Sequence, residues 1–246
     1  LAPQRYRAPA AVGALIGRVH MTGVATELLL RPDVRLVTLI GPPGVGKSRL
    51  ALQVAEEVWQ HFRSGVCFVA LAPLQEAAGV LPAIAQALDL VDSGRPLAVA
   101  LADRLRREEM VLLLDNFEHV LAAAPAIATL LAAAPGLKVL CTSRVPLRIT
   151  GEHEFVVPPL ALPDMLHLPD LTALELNPAV ALFVARARAV YPAFAVTGEN
   201  AHLIAELCHR LDGLPLAIEL ASNRIKLCAP AALLARLERH LPFLTG

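Results

Sequence analysis

The sequence lacks an excess of charge of either sign, because its 22 Lys and Arg residues balance its 22 Asp and Glu residues. A domain that binds nucleic acid or an anionic membrane through bulk electrostatics usually carries a net positive charge. The balance therefore argues against either as the main partner. A local basic patch stays open as an alternative.

Cysteine is scarce, and its spacing excludes the common metal sites. The four residues, Cys67, Cys141, Cys208 and Cys228, form no CxxC pair and show no metal-like spacing with histidine. We interpret them as reduced, mostly buried thiols of a cytoplasmic protein. The charged-then-apolar pattern of a secretory signal peptide is also missing from the N-terminus.

One uncharged stretch, residues 120–137, is long enough to suggest a membrane span. Pro125 and Pro135 interrupt it, much of it is alanine, and it lies between two predicted strands of the core. We therefore expect a helix buried against a sheet, and no membrane partner.

Apolar residues make up 56% of the 246 residues, enough to build a sizeable core. Apolar runs alternate with helical periodicity as far as Pro163, and only helical patterns follow Pro178. This order predicts an α/β fold with a mostly parallel five-stranded sheet covered by helices, followed by a small all-helical domain. We predict domains over residues 1–165, with an N-terminal arm at 1–15, and over 166–246. The predicted strands are 35–40, 66–71, 111–114, 137–141 and 155–157. The predicted helices are 19–30, 47–62, 74–88, 96–107, 119–134, 178–190, 199–211, 215–227 and 230–240.

A glycine-rich loop, GPPGVGKS from Gly41 to Ser48, joins the first predicted strand to an amphipathic helix. It matches the pattern GxxxxGK[ST], in which glycines let backbone N–H groups wrap closely around a phosphate at a helix N-terminus. Lys47 would then reach the β- and γ-phosphates, and Ser48 would be a ligand of Mg²⁺. The pattern and its strand–helix context predict an ATP or ADP site.

An acidic residue, Asp115, ends the apolar run MVLLLD, which is how P-loop proteins place a carboxylate beside Mg²⁺. Many ATPases carry a second acid directly after it to polarise the attacking water. Asn116 stands there instead and cannot act as a base, which predicts slow hydrolysis. Glu118 is either a substitute for that acid or a residue at the start of a helix.

Two later segments carry further candidates. Arg144 follows the strand ending at Cys141, and it could contact a γ-phosphate or be an ordinary surface arginine. In the segment GLPLA, Gly213 suits the C′ position of one helix and Pro215 the first turn of the next. These two helix-end roles explain the GLPLA segment without a ligand.

The segments GPPGVGKSRLALQVA, LLLDNFEHV, KVLCTSR and LDGLPLAIELA, in this order, resemble the STAND-class signal-transduction ATPases. The sequence looks most like the ATPase core of bacterial AfsR/SARP- and LuxR-type transcriptional regulators, which are relatives of the NB-ARC proteins. The resemblance covers residues from about Ile16 to Leu244. The last three segments together are more specific than the phosphate loop alone.

The resemblance implies roles for particular residues. Gly17 and Arg18 match a segment near the adenine and ribose, although Val19 replaces the acid that usually follows. Arg144 matches the first sensor arginine, and Pro215 matches the proline that packs on the adenine. Asp115 matches the Walker B aspartate, on a strand beside the Thr142 strand, which in turn lies next to the phosphate-loop strand. The complete predicted nucleotide set is Gly17, Arg18, Gly41, Pro42, Pro43, Gly44, Val45, Gly46, Lys47, Ser48, Arg49 and Pro215, with Lys47, Asp115, Glu118 and Arg144 as catalytic candidates.

The function implied is a slow, Mg²⁺-dependent ATPase switch, with ATP or ADP between the α/β and the ARC1-like helical domain. A winged-helix domain and sensor or effector domains would lie outside this chain, so we expect no direct DNA binding by it. A homo-oligomer in the ATP-bound form is also implied. The alternatives are a P-loop kinase and a DNA-associated AAA+-type motor. The basic run at Arg104, Arg106 and Arg107 lies beside Glu108 and Glu109 and is more simply a solvated face.

Overall fold

The structure, a computed structural model, describes residues 6–9, 13, 15–91 and 94–240. Its centre is a six-stranded sheet of order β1-β3-β4-β5-β2-β6, in which every neighbouring pair is parallel. The predicted five-stranded parallel sheet is confirmed, and the short strand β1 is added at one edge. The strands are β1 (Tyr6–Arg7), β2 (Leu36–Ile40), β3 (Gly65–Ala70), β4 (Met110–Asp115), β5 (Leu137–Ser143) and β6 (Glu152–Val156).

Ten α-helices accompany the strands within the described ranges. They are α1 (Val19–Leu30), α2 (Lys47–Val58), α3 (Val80–Ala87), α4 (Leu97–Leu105), α5 (Ala124–Ala133), α6 (Leu171–Leu176), α7 (Pro178–Val190), α8 (Ala201–Arg210), α9 (Pro215–Ser222) and α10 (Pro230–His240). None of the helices in the described part of the chain has the length and apolarity needed to cross a membrane.

The strands that carry the site are buried because they are apolar on both faces. Leu112, Leu113 and Leu114 of β4 are each fully buried, as expected for a parallel strand covered by helices on both sides. Helix α2 buries Leu50 and Val54, spaced four residues apart, so one stripe of this helix faces the core as the sequence predicted.

The region after Asp115 differs from the single helix predicted over 119–134. Two 3-10 turns, Phe117–His119 and Leu121–Ala123, come first, and α5 begins only at Ala124. Pro125 lies in the first turn of α5, where its missing N–H has no intrahelical partner to lose. It therefore starts this helix and does not bend it.

Two further elements were not predicted. The arm expected at residues 1–15 lies partly outside the described residues, but Tyr6–Arg7 within it forms β1, which pairs with β3. Helix α6 was also missed. Its N-cap is Asp170, whose carboxylate accepts a hydrogen bond of 2.8 Å from the N–H of Ala173.

The chain divides into two compact units by its internal contacts. One holds the described residues up to 43 and 47–157, and the other holds 44–46 and the described residues from 158 onward. The domain boundary placed near residue 165 from the sequence stays a prediction. The second unit is entirely helical, from α6 to α10, apart from its loops.

The turn between α8 and α9 shows why the sequence stops one helix there and starts another. Asp212 and Gly213 both adopt positive φ, at 51° and 63°. The N–H of Gly213 donates to the carbonyl of Cys208, and that of Asp212 donates to His209. This is a Schellman ending in which Gly213 lies one position beyond the predicted C′ site. Pro215 lies in the first turn of α9, as predicted.

Candidate functional site

The glycine loop spans residues 41–46, between the carboxyl end of β2 and the first residue of α2. Gly44 and Gly46 have φ values of +78° and +96°, which L side chains rarely adopt. Glycine is needed at both positions for the loop to turn back tightly onto the N-terminus of α2. The loop thus has the geometry of a phosphate cradle.

Lys47 is folded back over this loop. Its Nζ donates to the carbonyl oxygens of Gly41 at 2.7 Å and Pro42 at 3.1 Å. Burial lowers the pKa of this ammonium group, while the negative charges of Glu118 and Asp115 act to raise it. The structure therefore brings Lys47 within electrostatic reach of both carboxylates.

Asp115 ends β4, and β5 lies beside it in parallel register. The Oγ1 atom of Thr142 donates to Oδ1 of Asp115 at 2.6 Å and accepts from the N–H of Asn116 at 2.9 Å. This role of Thr142 was not predicted. The contact between Thr142 and Asp115 could have been predicted, because both residues lie at the carboxyl ends of neighbouring parallel strands.

Asn116 takes a left-handed conformation, with φ 64° and ψ 51°, which asparagine tolerates better than most residues. The chain then enters the 3-10 turn Phe117–His119, anchored by the fully buried ring of Phe117. This reversal carries Glu118 back toward β5. The α5 helix starts six residues later, so Glu118 is not at the start of an α-helix.

Glu118 and Arg144 form an ion pair at this edge of the sheet. The Nε atom of Arg144 donates to Oε1 of Glu118 at 3.1 Å. The side chain of Glu118 is 8% exposed, whereas that of Arg144 is 52% exposed. The other carboxylate oxygen, Oε2, is buried and has no hydrogen-bond partner within the described ranges.

The residues predicted near the adenine lie in two places. Gly17 turns the chain with φ +70°, and Arg18, only 5% exposed, precedes α1. Burial lowers the pKa of the Arg18 guanidinium. Pro215 belongs to the helical unit, in which the N–H of Leu216 donates to the carbonyl of Gly44 at 3.1 Å. Their contacts with a nucleotide stay predictions.

The donors at the loop suit Mg²⁺ and not a transition metal. Ser48, the second residue of α2, and Asp115 offer hard oxygen atoms, and Mg²⁺ usually combines one or two such ligands with phosphate oxygens and water. Among the residues that the structure describes, no group of three or more His, Cys, Asp and Glu side chains could hold a metal ion without such help.

Comparison with known proteins agrees with this geometry. The family model described as AAA domain matches residues 33–156, from just before β2 to the end of β6. The chain belongs to the AAA domain family. This family assignment implies nucleotide binding, typically with Mg²⁺.

The AAA domain chain also resembles longer bacterial proteins. A Mycobacterium tuberculosis protein, provisionally named an HTH-type transcriptional regulator, is 39% identical over 214 residues, which cover 86% of this chain and 23% of that protein. An uncharacterized Mycobacterium bovis protein is 38% identical over 219 residues, covering 88% of this chain and 52% of that protein. The chain thus spans about a quarter to a half of these relatives.

Solved structures extend the likeness of the AAA domain chain at the level of the fold. A STAND protein with a tetratricopeptide repeat sensor from Pyrococcus horikoshii has a TM-score of 0.57 at 15% identity, covering 98% of this chain and 34% of that one. A Drosophila ORC structure bound to DNA has a TM-score of 0.59 at 13% identity, covering 92% and 65%. At these identities the likeness establishes the fold alone.

Proposed function

We propose that this AAA domain chain is the ATP- and ADP-binding switch, and the slow Mg²⁺-dependent ATPase core, of a multidomain transcriptional regulator. The observation that carries the proposal is the gathering of Lys47, Asp115, Glu118 and Arg144 around the carboxyl ends of three adjacent strands. Two cations and two carboxylates lie together there, beside a loop in which Gly44 and Gly46 adopt positive φ. A triphosphate with its metal ion needs this mixture of charges.

Each residue has a definite task in this proposal. The loop backbone from Gly41 to Gly46 and the N-terminus of α2 bind the β-phosphate, and Lys47 exchanges its two carbonyl partners for phosphate oxygens. Ser48 and Asp115 would hold Mg²⁺, which would neutralise the charge that develops during transfer. Arg144 reports whether the γ-phosphate is present. Gly17, Arg18 and Pro215 bind the adenosine end.

Slow turnover is part of the proposal because a switch must persist in each nucleotide state. The position after Asp115 is an amide, Asn116, and its left-handed backbone is tied by its N–H to Thr142. An amide cannot accept the proton of an attacking water molecule. Hydrolysis would therefore depend on a more distant carboxylate.

The place of the chain in a larger protein is supported by its relatives. The M. tuberculosis relative, 39% identical, is provisionally named a transcriptional regulator and is about four times longer than the matched segment. The NB-ARC-like and SARP/LuxR-type resemblance adds a winged-helix domain, sensor or effector domains, a cytoplasmic location and a possible homo-oligomer in the ATP-bound form. Each of these is a proposal for the whole protein.

Nucleotide binding is tested first by thermal unfolding with and without Mg²⁺ and ADP or ATP. A ligand present at about 100 times its Kd stabilises the native state by roughly 2.7 kcal/mol. Lys47→Ala should remove this stabilisation, whereas Lys226→Ala, which changes an exposed lysine in the helical unit, should keep it. Unfolding of each variant without nucleotide shows that it is folded. The proposal fails if the unaltered chain is stabilised by neither nucleotide.

The slow-switch part is tested by steady-state phosphate release from the purified chain. We expect turnover well below the 1 to 10³ per second typical of enzymes. Turnover at tens per second in the absence of a partner would contradict a switch. Binding of duplex DNA by this chain alone would favour the motor alternative.

A further inference from the structure

The ion pair between Arg144 and Glu118 is asymmetric in a way that suggests a moving part. Glu118 is almost fully buried, and its position is fixed by the turn that Phe117 anchors. Arg144 is half exposed and follows the last residue of β5, so its side chain has room to turn. When such a pair separates, the arginine is the partner that swings away.

The second carboxylate oxygen of Glu118 is the more informative atom. Oε2 is buried without a hydrogen-bond partner in the described chain. A buried carboxylate oxygen without a donor is costly, so native structures keep one mainly where a ligand or a water molecule supplies that donor. Among the four charged candidates at this edge, Lys47 and Arg144 can only donate hydrogen bonds, and the carboxylates of Asp115 and Glu118 accept them.

Two other Arg–Glu pairs in the structure lack this feature. In Arg186–Glu219 and Arg188–Glu175 the carboxylate side chains are 26% and 34% exposed, so water can complete their hydrogen bonding. These pairs belong to the helical unit, and each has the geometry of an ordinary surface contact. The unsatisfied oxygen of Glu118 therefore does not follow from pairing with arginine.

We propose that Glu118 orients the water that attacks the γ-phosphate, and that Arg144 exchanges between Glu118 and that phosphate. This inference rests on the proposed nucleotide site. With a diphosphate bound, Arg144 stays on Oε1 of Glu118. With a triphosphate bound, Arg144 turns to the γ-phosphate oxygens, and the carboxylate becomes free to accept hydrogen bonds from water through both oxygens.

The chemical step that this arrangement serves is simple hydrolysis. The oxygen of the water molecule forms a bond to the γ-phosphorus, and the bond from that phosphorus to the β–γ bridging oxygen breaks. The bridging oxygen leaves with its electron pair on ADP. The proton lost by the water passes to Glu118 and then to solvent, so that ATP and water give ADP, inorganic phosphate and one proton.

The exchange has a consequence for binding that does not depend on catalysis. Because Glu118 and the γ-phosphate compete for the same guanidinium group, the ion pair weakens triphosphate binding and leaves diphosphate binding unaffected. Removing the charge of Glu118 should therefore improve the affinity for a triphosphate relative to ADP. A residue that only stabilised the fold would change both affinities alike.

The test measures the dissociation constants of ADP and of the β,γ-imido analogue of ATP, each with Mg²⁺, by calorimetry on the whole chain. We expect Glu118→Gln to raise the preference for the triphosphate about 5-fold or more, the lower range of typical coupling between sites. Arg144→Gln should reduce that preference, and adding Glu118→Gln to it should have little further effect. Single-turnover hydrolysis by Glu118→Gln should fall about 100-fold or more.

Glu175→Gln is the matched control, since it breaks an Arg–Glu pair of similar length in the helical unit. It should leave the preference and the hydrolysis rate unchanged. If the unaltered chain binds both nucleotides but Glu118→Gln shifts both affinities equally, the exchange is disproved and the proposed nucleotide site stands. If the unaltered chain binds neither nucleotide, both fail. Because Glu118 is buried, Arg144→Gln is the second variant, at the exposed partner, and a preference unchanged in it also overturns the exchange.

Discussion

Thr142 donates its hydroxyl hydrogen to the carboxylate of Asp115, across the carboxyl ends of β5 and β4, at 2.6 Å. The direction is fixed because a carboxylate oxygen can only accept, while the N–H of Asn116 donates to a lone pair of the same hydroxyl. One side chain thus orients Asp115 and holds the backbone that leaves its strand. A residue with no proposed bond to nucleotide thereby controls the geometry of a candidate magnesium ligand.

We predict that Thr142→Val weakens Mg²⁺ binding to the nucleotide complex by about 10-fold or more, as is typical when a partner that orients a metal ligand is lost. Valine keeps the shape and β-branching of threonine but leaves Asp115 free to rotate. The measurement is a Mg²⁺ titration of the ADP-saturated protein, followed by thermal stability.

Thr129→Val is the control for this experiment. The hydroxyl of Thr129 donates to the carbonyl of Pro125 within α5, away from the loop. Its Mg²⁺ titration should match that of the unaltered chain. An unchanged titration in Thr142→Val would mean that Asp115 needs no such support or does not bind the metal.

A second prediction concerns a half-buried lysine, Lys138, that links β5 to α1. The Nζ atom of Lys138 donates to the carbonyls of Leu29 and Arg31, at 2.7 and 2.6 Å, at the C-terminal end of α1. A positive charge there also meets the negative end of the helix dipole. Lys138→Met should lower the free energy of unfolding by about 1.5–3 kcal/mol, the usual contribution of hydrogen bonds to charged groups.

Urea unfolding followed by circular dichroism measures this loss. Lys226→Met replaces an exposed lysine in the helical unit and should change stability by less than about 0.5 kcal/mol. Equal stability of the two variants would show that water replaces Lys138 as the hydrogen-bond donor to the carbonyls at the end of α1 at no cost in free energy.

Much of this fold could be predicted because its elements have long, regular apolar patterns. The bounds of α1, α7 and α10 coincide with the predicted ones, and each of the five core strands was expected within a few residues. The two-residue strand β1 and the six-residue helix α6 were missed because each is too short to repeat its apolar pattern. The 3-10 turns before α5 were also hidden, because an alanine-rich segment suits both kinds of helix.

The candidate site divides in the same way. The phosphate loop and Asp115 follow from spacing along the chain, because a motif is local. The hydroxyl bridge of Thr142 and the pairing of Arg144 with Glu118 depend on which strands are neighbours and on a left-handed turn at Asn116. Burial of a single carboxylate oxygen of Glu118 depends on side-chain packing, which spacing does not encode.

A third prediction separates two physical reasons for a glycine at the turn before α9. Gly213 has φ +63°, and a Cβ there would lie 2.5 Å from the carbonyl oxygen of Leu160. Gly94 has φ +70° but nothing within 4 Å of such a Cβ. Gly94→Ala should cost about 1–2 kcal/mol for the left-handed backbone alone. Gly213→Ala should cost roughly 1–3 kcal/mol more, because backbone atoms must shift.

Thermal and urea unfolding of the two variants give the comparison. Gly198→Ala, at a position with open space and no positive φ, is the reference for the loss of glycine flexibility. If Gly213→Ala and Gly94→Ala are equally destabilised, the close approach of Leu160 is relieved at no cost, and only backbone conformation matters at the turn.

The fourth prediction is that one thiol of the four reacts readily in the folded protein. Burial raises the pKa of Cys208 from its ordinary value of 9.0 to about 12 and also raises that of Cys141, so neither forms thiolate near neutral pH. Cys67 is buried as well, whereas Cys228 is partly exposed. An aromatic disulfide reagent at pH 8 should therefore titrate one thiol in the native state and four in denaturant.

Cys228→Ser should abolish the rapid native reaction, and Cys208→Ser should leave it intact. The raised pKa of Cys208 also predicts that the folded state loses stability at alkaline pH, because the folded state holds the Cys208 proton more tightly than the unfolded state does. This contribution to stability is complete below pH 9.0 and is lost as the pH rises toward about 12. Rapid labelling of Cys208 in the native state would contradict its burial as a protonated thiol. So would a loss of stability between pH 9.0 and about 12 that Cys208→Ser does not reduce.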